Sequence, residues 1–293
     1  MTKAFLIDLS HCNGCYNCQI VCKDEHCEAD WRPYAAPQPL TGQFWMRVDE
    51  KTRGQVPWVR VAYRPTLCAH CADAPCIAAA AAAGKPEAVY RREDGLVIFD
   101  PASDGDEELA KALVESCPLG AVFFNDELKL AQKCTGCAHL LDNGWSVPRC
   151  VDACAHDAIQ FREEEEFGAL LSKAEVLSEV AGFGPKVYYL HLPKRFVAGT
   201  AVDFAADEVV IGATVELVST GAGGAGGAAG AGGAAGALIA TQETDELGDF
   251  KFDQVPADEY TLIIKAEGYS PLKVAADLRE IDLSVGDVGL TKD

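Results

Sequence analysis

The last third of the chain is a succession of short segments in which hydrophobic and polar residues alternate. Such alternation is typical of half-buried β-strands, and turn-forming residues such as Leu247-Gly248-Asp249 separate one segment from the next. The segments are Thr214–Val218, Ala237–Thr241, Asp249–Phe252, Tyr260–Ala266 and Ile281–Val285. Several short strands at this spacing predict a small all-β sandwich over residues 196–293.

A tract of glycine and alanine interrupts this pattern at residues 221–237. Because the tract lies between two predicted strands, it indicates a flexible hairpin insertion. A phosphate-binding loop would need a lysine or a following helix, and the tract has neither. We therefore expect a loop that connects two strands and has no binding or catalytic role.

Residues 160–195 show a helical period instead. Four glutamates, Glu163–Glu166, precede the apolar positions, and carboxylates stabilise the positive end of a helix. The apolar positions are Leu170, Leu171, Ala174, Leu177 and Val180. We predict a helix that connects the sandwich to a first domain over residues 1–195.

Residues 1 to about 160 are organised around cysteines. A short strand at the N-terminus leads into the first cysteine loop, and a cysteine followed by a short strand recurs at Cys117 and at Cys154. The insertions at 28–66 and 78–95 are punctuated by proline and glycine, which predicts loops with short helices. The first insertion contains three tryptophans, for which a docking surface and ordinary packing are equally plausible. They are Trp31, Trp45 and Trp58.

The spacing of the cysteines predicts the chemistry of this region. Cys12, Cys15, Cys18 and Cys22 read C-x2-C-x2-C-x3-C, and Cys134, Cys137, Cys150 and Cys154 read C-x2-C-x12-C-x3-C. Between these groups lie Cys68, Cys71, Cys76 and the isolated Cys117. In bacterial-type ferredoxins, three close thiolates bind one [4Fe-4S] cluster and a distant fourth cysteine binds another. The pattern therefore predicts a tandem ferredoxin-like domain, an α+β fold, that carries electrons.

Zinc and disulfides are the alternatives to clusters. A pair of C-x2-C motifs would suit tetrahedral zinc, but the third close cysteine of the first group is surplus for zinc. An odd total of 13 cysteines and the x2 spacings do not resemble a secreted disulfide framework. The pattern favours clusters over both.

The missing cysteines define how many clusters to expect. The position three residues beyond Cys76 is Ala80, and residues 102–116 contain no cysteine. The absent ligands are one far cysteine and three near cysteines, which by crossed ligation would make one complete cluster. Three [4Fe-4S] clusters remain. Crossed ligation assigns them to Cys12, Cys15, Cys18 and Cys154, to Cys22, Cys134, Cys137 and Cys150, and to Cys68, Cys71, Cys76 and Cys117. Cys27 could replace Cys22, but the x3 spacing favours Cys22.

The net charge, the hydropathy and the histidines add expectations about partners, location and the surroundings of the cysteines. The formal net charge of -20 argues against nucleic-acid binding, which requires a basic surface. We expect a cytoplasmic protein, since no apolar run approaches the roughly 20 residues of a membrane helix and no signal peptide is recognisable. Four histidines lie beside cluster cysteines, where packing or hydrogen bonding to sulfur is favoured over ligation. They are His11, His70, His139 and His156.

Three motifs resemble the iron–sulfur subunits of the dimethyl-sulfoxide-reductase family of molybdenum or tungsten enzymes. They begin at Cys12, Tyr63 and Gln132. The loss of one cluster and the β-sandwich that follows resemble the small subunits of the pyrogallol–phloroglucinol transhydroxylases and related aromatic hydroxylases or dehydroxylases. Residues 248–255 and 260–269 are also similar to the transthyretin-like or carboxypeptidase-regulatory sandwich of that group. The Gly/Ala tract has no counterpart there.

The resemblance implies a division of labour within a heterodimer or larger complex. A large catalytic subunit would hold molybdenum or tungsten on two pterin guanine dinucleotides and act on a polyphenol. The present chain would transfer electrons and contribute no catalytic side chain. Two alternatives stay open: the same module serving a respiratory formate, nitrate or sulfur-compound enzyme, and a non-redox module in which the β domain serves adhesion or docking.

Overall fold

The computed structural model describes residues 2–100, 105–221 and 236–293, which fall into two compact units. The cysteine unit comprises residues up to Glu50 together with Tyr63–Leu192, and the β unit comprises Lys51–Ala62 and Pro193–Asp293. Most of the predicted Gly/Ala loop 221–237 lies outside the described residues.

The cysteine unit is built from short elements around a central strand. Its helices are α1 (Asn17–His26), α2 (Pro75–Ala82), α3 (Glu107–Glu115), α4 (Ala138–Asp142) and α5 (Arg149–Asp152). Its strands are β1 (Lys3–Asp8), β2 (Arg47–Gln55), β3 (Trp58–Thr66), β4 (Val89–Arg91), β5 (Val97–Phe99), β6 (Val122–Asn125), β7 (Leu130–Lys133), β8 (Ile159–Glu163) and β9 (Val187–Leu190). The three strands predicted from the cysteine pattern are present as β1, β6 and β8.

Strand β1 is the centre of a three-stranded sheet. It pairs antiparallel with β8, where Phe5 lies opposite Phe161, and parallel with β9, where Phe5 lies opposite Val187. Successive side chains of a strand face opposite sides, so β1 contributes to two cores. Phe5 and Ile7 belong to the main core, which also contains six of the cysteines, whereas Ala4 and Leu6 belong to a smaller core.

The predicted connecting helix in residues 160–195 is wrong. Two 3₁₀ segments, Glu164–Leu170 and Ser178–Phe183, occupy this stretch, and Gly168 interrupts the first with φ 49° and ψ -124°. Leu171 packs on the smaller core beside β1, whereas Val180 is buried in the main core. The helical spacing misled because the segment passes from one side of the sheet to the other, which a single straight helix could not do.

The prediction of loops with short helices for the 28–66 insertion is wrong in its second half. Strands β2 and β3 form an antiparallel two-stranded hairpin whose tip belongs to the β unit. Strand β2 reads Arg-Val-Asp-Glu-Lys-Thr-Arg-Gly-Gln and is largely exposed beyond its first residues. It therefore lacks the alternation by which a strand is recognised.

The β unit contains two four-stranded sheets. Its strands are β10 (Arg195–Asp203), β11 (Glu208–Val209), β12 (Thr214–Ser219), β13 (Leu238–Glu243), β14 (Asp249–Val255), β15 (Glu259–Lys265), β16 (Leu272–Asp277) and β17 (Leu283–Gly289). In one sheet β10 pairs with β11, β14 and, in parallel, β17, and the other sheet has the order β13-β12-β15-β16.

One hydrophobic core lies between these sheets. Leu217 and Leu262 come from one sheet and Val197 and Phe250 from the other, and all four are at most 1% exposed. Burial alternates along β12 and β15, which is the pattern that predicted them. All five predicted strands of this region are present. Strands β10, β11 and β16 were missed.

A buried ion pair fixes the hairpin tip within the β unit. The Arg53 guanidinium, 10% exposed, donates Nε–H and Nη2–H to the two carboxylate oxygens of Asp282, at 2.9 and 2.7 Å. Asp282 also accepts the backbone N–H of Phe196 at 3.0 Å. Removing one partner of such a pair leaves the other charge buried and uncompensated.

We expect Asp282→Ala to lower the free energy of unfolding of the full chain by about 3–5 kcal/mol in urea denaturation. The matched control is Asp253→Ala, since Asp253 pairs with Arg60 but both side chains are more than 40% exposed. Exposed pairs contribute at most about 1 kcal/mol. Equal losses in the two variants would contradict the structural role given to Asp282.

Candidate metal centres

The first site is a cavity at the start of α1. Cys12, Cys15, Cys18 and Cys154 all line it, together with Asn13 and His156. The loop from Cys12 reaches the helix through Gly14, at φ 72°, and a left-handed Tyr16. Short helix α5 and the turn after it bring Cys154 to the same cavity. The structure thus brings together the four cysteines predicted for this site.

The second site is the most deeply buried. Its predicted ligands, Cys22, Cys134, Cys137 and Cys150, are each 5–7% exposed. Burial raises the pKa of the Cys22 thiol, and the nearby thiols of Cys134 and Cys137 raise it further. The pKa of Cys150 is raised by burial and then by the other three cysteines of the group. The four thiols therefore lie close to one another, and Cys18 of the first site also lies close to this group.

The third site lies between the N-terminus of α2 and the turn before β6. Its cavity is lined by Cys68, Cys71, Cys76 and Cys117. Burial raises the pKa of Cys71 to about 12, followed by the effects of the other three thiols. The backbone N–H of Ala121 donates to Cys117 Sγ at 3.4 Å.

The three sites follow one another through the protein. Cys18 and Cys22 are four residues apart on α1, so they lie on the same face of the helix and link the first site to the second. Cys68 of the third site is close enough to Cys134 of the second to raise the pKa of that thiol. The second site therefore lies between the other two.

Apolar packing replaces the missing fourth set of ligands. Ala80, at the position of the absent far cysteine, is completely buried. Helix α3 occupies part of the cysteine-free segment, begins with Asp106 accepting the Leu109 N–H at 3.0 Å, and buries Leu109 and Leu113. Helices α2 and α3 pack against each other here, so side chains rather than thiolates occupy this place.

The described residues offer no ready site for a single metal ion. Every cysteine is unpaired, and among the described residues no three Cys, His, Asp or Glu side chains are placed to hold one metal ion. A zinc ion would need its ligands at about 2.0–2.3 Å from one point. At the first and third sites, four thiols around an open cavity instead fit the corners of a larger iron–sulfur cluster.

Burial keeps the more buried of these thiols neutral when no metal is bound. It raises the pKa of Cys18 to about 12 and that of Cys76 to about 11. Because the thiolate is the metal ligand, iron must displace these protons, and cluster binding is coupled to proton release.

Three histidines of the cysteine unit lie near the sites, and the partners of their ring nitrogens differ. The backbone N–H of Val97 donates to His70 Nδ1 at 3.0 Å, while His70 Nε2 is buried without a partner among the described residues. His26 Nε2 lies 4.0 Å from Cys137 Sγ. His156 Nε2 lies 2.8 Å from Asn13 Nδ2 at an exposed position.

Sequence reasoning singled out His70 and His156 but missed His26. The signal was present, because His26 lies four residues after Cys22 on the same face of α1. Lys133 was also missed: it is 2% exposed and lines the third cavity. Nothing in the sequence around Lys133 marks it as buried.

A family model described as a 4Fe-4S dicluster domain matches residues 59–164. The pyrogallol hydroxytransferase small subunit of Pelobacter acidigallici is 35% identical to the chain, over 98% of the chain and 97% of the relative. The chain belongs to the iron–sulfur subunits of the molybdoenzymes. This confirms the resemblance carried by the cysteine motifs and the function of an electron-transfer subunit.

Other members of this family are similar over a smaller part of the chain. A tetrathionate reductase subunit of Salmonella typhimurium is 31% identical over 66% of the chain and 74% of the relative. The beta subunit of a formate dehydrogenase from Megalodesulfovibrio gigas is 26% identical over 59% of the chain and 81% of the relative.

Within the described part of this iron–sulfur subunit, no helix is long and apolar enough to cross a membrane. The cytoplasmic location stays a prediction.

Proposed function

We propose that this iron–sulfur subunit carries three [4Fe-4S] clusters. The ligands are Cys12, Cys15, Cys18 and Cys154 at the first site, Cys22, Cys134, Cys137 and Cys150 at the second, and Cys68, Cys71, Cys76 and Cys117 at the third. The convergence of each group on one place supports this assignment. A bound [4Fe-4S] cluster supplies one-electron transfer.

The residues of the chain hold these centres and shield them from water to different degrees. Cys15 is exposed at the first site, whereas every ligand of the second site is buried. Backbone N–H groups donate to the ligand sulfurs, for example from Gly136 to Cys134 Sγ at 3.3 Å. Such hydrogen bonds stabilise thiolate charge and adjust the reduction potential.

We further propose that the partner is a large subunit with molybdenum or tungsten on two pterin guanine dinucleotides, and that it acts on polyphenols. One observation carries this proposal. The pyrogallol hydroxytransferase small subunit matches 98% of the chain, so the match includes the β unit, whereas the tetrathionate and formate relatives match 66% and 59%. No side chain of the present chain would take part in the chemistry on the ring.

We also propose a structural class for the β unit. We place it, from about residue 196, with the transthyretin-like or carboxypeptidase-regulatory sandwiches. Its two four-stranded sheets around one core are consistent with that class. We place the first domain over residues 1–195, a boundary close to the end of the cysteine unit at Leu192, although Lys51–Ala62 within this range belong to the β unit.

Analysis of iron and acid-labile sulfide tests the number of clusters. We expect about twelve of each per chain, because each cubane contains four irons and four sulfides. Protein prepared without oxygen is needed to keep the clusters intact. Fewer than about eight irons per chain would rule out three clusters, and a non-redox module should contain almost none.

Copurification from the native source tests the partner. We expect a large chain containing molybdenum or tungsten to accompany this subunit. The complex should convert pyrogallol, resorcinol or a catechol, and it should be inactive on formate, nitrate and tetrathionate. The opposite preference would favour the respiratory alternative, and the absence of a molybdenum or tungsten chain would overturn the subunit proposal.

A further inference from the structure

The third cavity is almost entirely apolar. Apart from its four cysteines, the residues that line it are alanine, proline, valine and leucine, with two exceptions, His70 and Lys133. The first cavity differs, since Asn13, Asn17 and His156 line it. A charged centre at the third site would therefore depend on two side chains for its polar surroundings.

His70 presents a hydrogen-bond donor that the protein does not use. Its Nδ1 accepts the Val97 N–H, so the neutral ring carries its proton on Nε2. Because Nδ1 accepts this bond, it carries no proton, and the ring is neutral. Nε2 has no partner among the described residues. A buried donor without an acceptor is costly, which indicates an acceptor that is not part of the chain.

Lys133 places a positive charge at the same cavity. Its ammonium donates to the backbone oxygens of Val97 and of Cys134, the latter at 3.0 Å, and lies 5.2 Å from the centre of the Phe99 ring. No described carboxylate forms an ion pair with it. An ammonium has three donors, so one remains after these two bonds. Its side chain lines the same cavity as Cys76 and the other ligands, so its charge acts on them.

Lys133 also reaches the second site, through Cys134, but the other charged groups near that site nearly balance. Arg149 and Glu25 both act on Cys137, and they lie 3.8 Å apart, so their charges largely cancel. His26 approaches Cys137, with its Nε2 4.0 Å from Sγ.

We propose that His70 and Lys133 raise the reduction potential of the cluster at the third site, His70 through an Nε2–H hydrogen bond to a cluster sulfur and Lys133 through its buried charge. Reduction adds one electron and one negative charge to a cavity whose lining is almost entirely apolar. A donor and a cation stabilise this added charge more than they stabilise the oxidised state. This inference rests on the proposed function.

Potentiometric titration of the full complex, followed by electron paramagnetic resonance, tests this inference. His70→Phe removes the donor and keeps an aromatic ring, while Lys133→Met removes the charge and keeps a long stem. We expect each to lower the reduction equilibrium constant of one cluster about tenfold or more. A tenfold change for a one-electron couple corresponds to about 59 mV. The cluster of the first site should keep its potential in both variants, and that of the second site should keep its potential in His70→Phe and shift less than the third in Lys133→Met, because Lys133 also acts on Cys134.

Two controls separate tuning from folding. Lys133→Arg retains the positive charge, so the potential of the third cluster should stay close to the wild-type value. His156→Phe, at the first site, should leave the potential of the third cluster unchanged. Unchanged potentials in both His70→Phe and Lys133→Met, with about twelve irons present, would overturn this inference but not the proposed function. A wild-type complex without three clusters would instead overturn the proposed function. If one variant loses the third cluster, the shift in the other decides the question.

Discussion

Replacing Cys22 by alanine should remove the same cluster as replacing Cys134, although the two residues are 112 positions apart in the chain. Each single substitution is expected to lower the iron content from about twelve to about eight per chain, because three thiolates no longer complete a cubane. The double variant Cys22→Ala/Cys134→Ala should lose no more iron than either single variant. Cys12→Ala/Cys22→Ala should lose about eight irons, since these two cysteines serve different clusters.

This non-additivity tests crossed ligation without assigning overlapping spectra. The effects of two substitutions do not add when the residues act together at one site, whereas the effects of substitutions at independent sites do add. Cys27→Ala is the matched control, because Cys27 lies one helical turn or so beyond Cys22, is partly buried, and is not assigned to a cluster. Additive losses for Cys22 and Cys134, or a loss of iron in Cys27→Ala with none in Cys22→Ala, would contradict the assignment.

The grouping of the cysteines could be predicted from the sequence because the spacings are local constraints. A C-x2-C loop followed by the first turn of a helix brings thiols such as Cys15 and Cys18 to one cavity whatever the surroundings. The pairing of Cys154 with the first loop needed a further rule, crossed ligation. The structure places Cys154 accordingly, because β8 pairs antiparallel with β1 and brings the two cysteine turns to the same end of the sheet.

The errors have a different origin, because they depend on long-range packing. Residues 164–183 have helical spacing, yet their apolar side chains divide between two cores on opposite sides of β1. Strand β2 is charged and lacks alternation, and it is a strand because β3 pairs with it. Likewise Lys133 is polar in the sequence, and only the packing of β7 against the third cavity shows that its ammonium is buried.

Gly14→Ala is expected to destroy the first site while leaving the other two intact. Gly14 has φ 72°, and an added Cβ would lie 2.4 Å from a carbon of the Tyr63 ring. The left-handed backbone costs about 1–2 kcal/mol for a residue with a Cβ, and the overlap adds about 1–3 kcal/mol. The loop cannot move freely to relieve it, because Cys12 and Cys15 flank Gly14. We expect iron to fall to about eight per chain, together with a lower free energy of unfolding.

Gly84→Ala separates the effect of the contact from that of the backbone. Gly84 has φ 75°, but an added Cβ there would meet no atom within 4 Å. This variant should lose only the backbone contribution, about 1–2 kcal/mol, and keep about twelve irons. If Gly14→Ala also kept twelve irons and was no less stable than Gly84→Ala, the close approach of Tyr63 would not be what shapes the first cysteine loop. Tyr63 lies on β3. If Gly14→Ala loses the first cluster and Gly84→Ala does not, the β2–β3 hairpin supports the first site. The site was predicted from the sequence, whereas the hairpin was not.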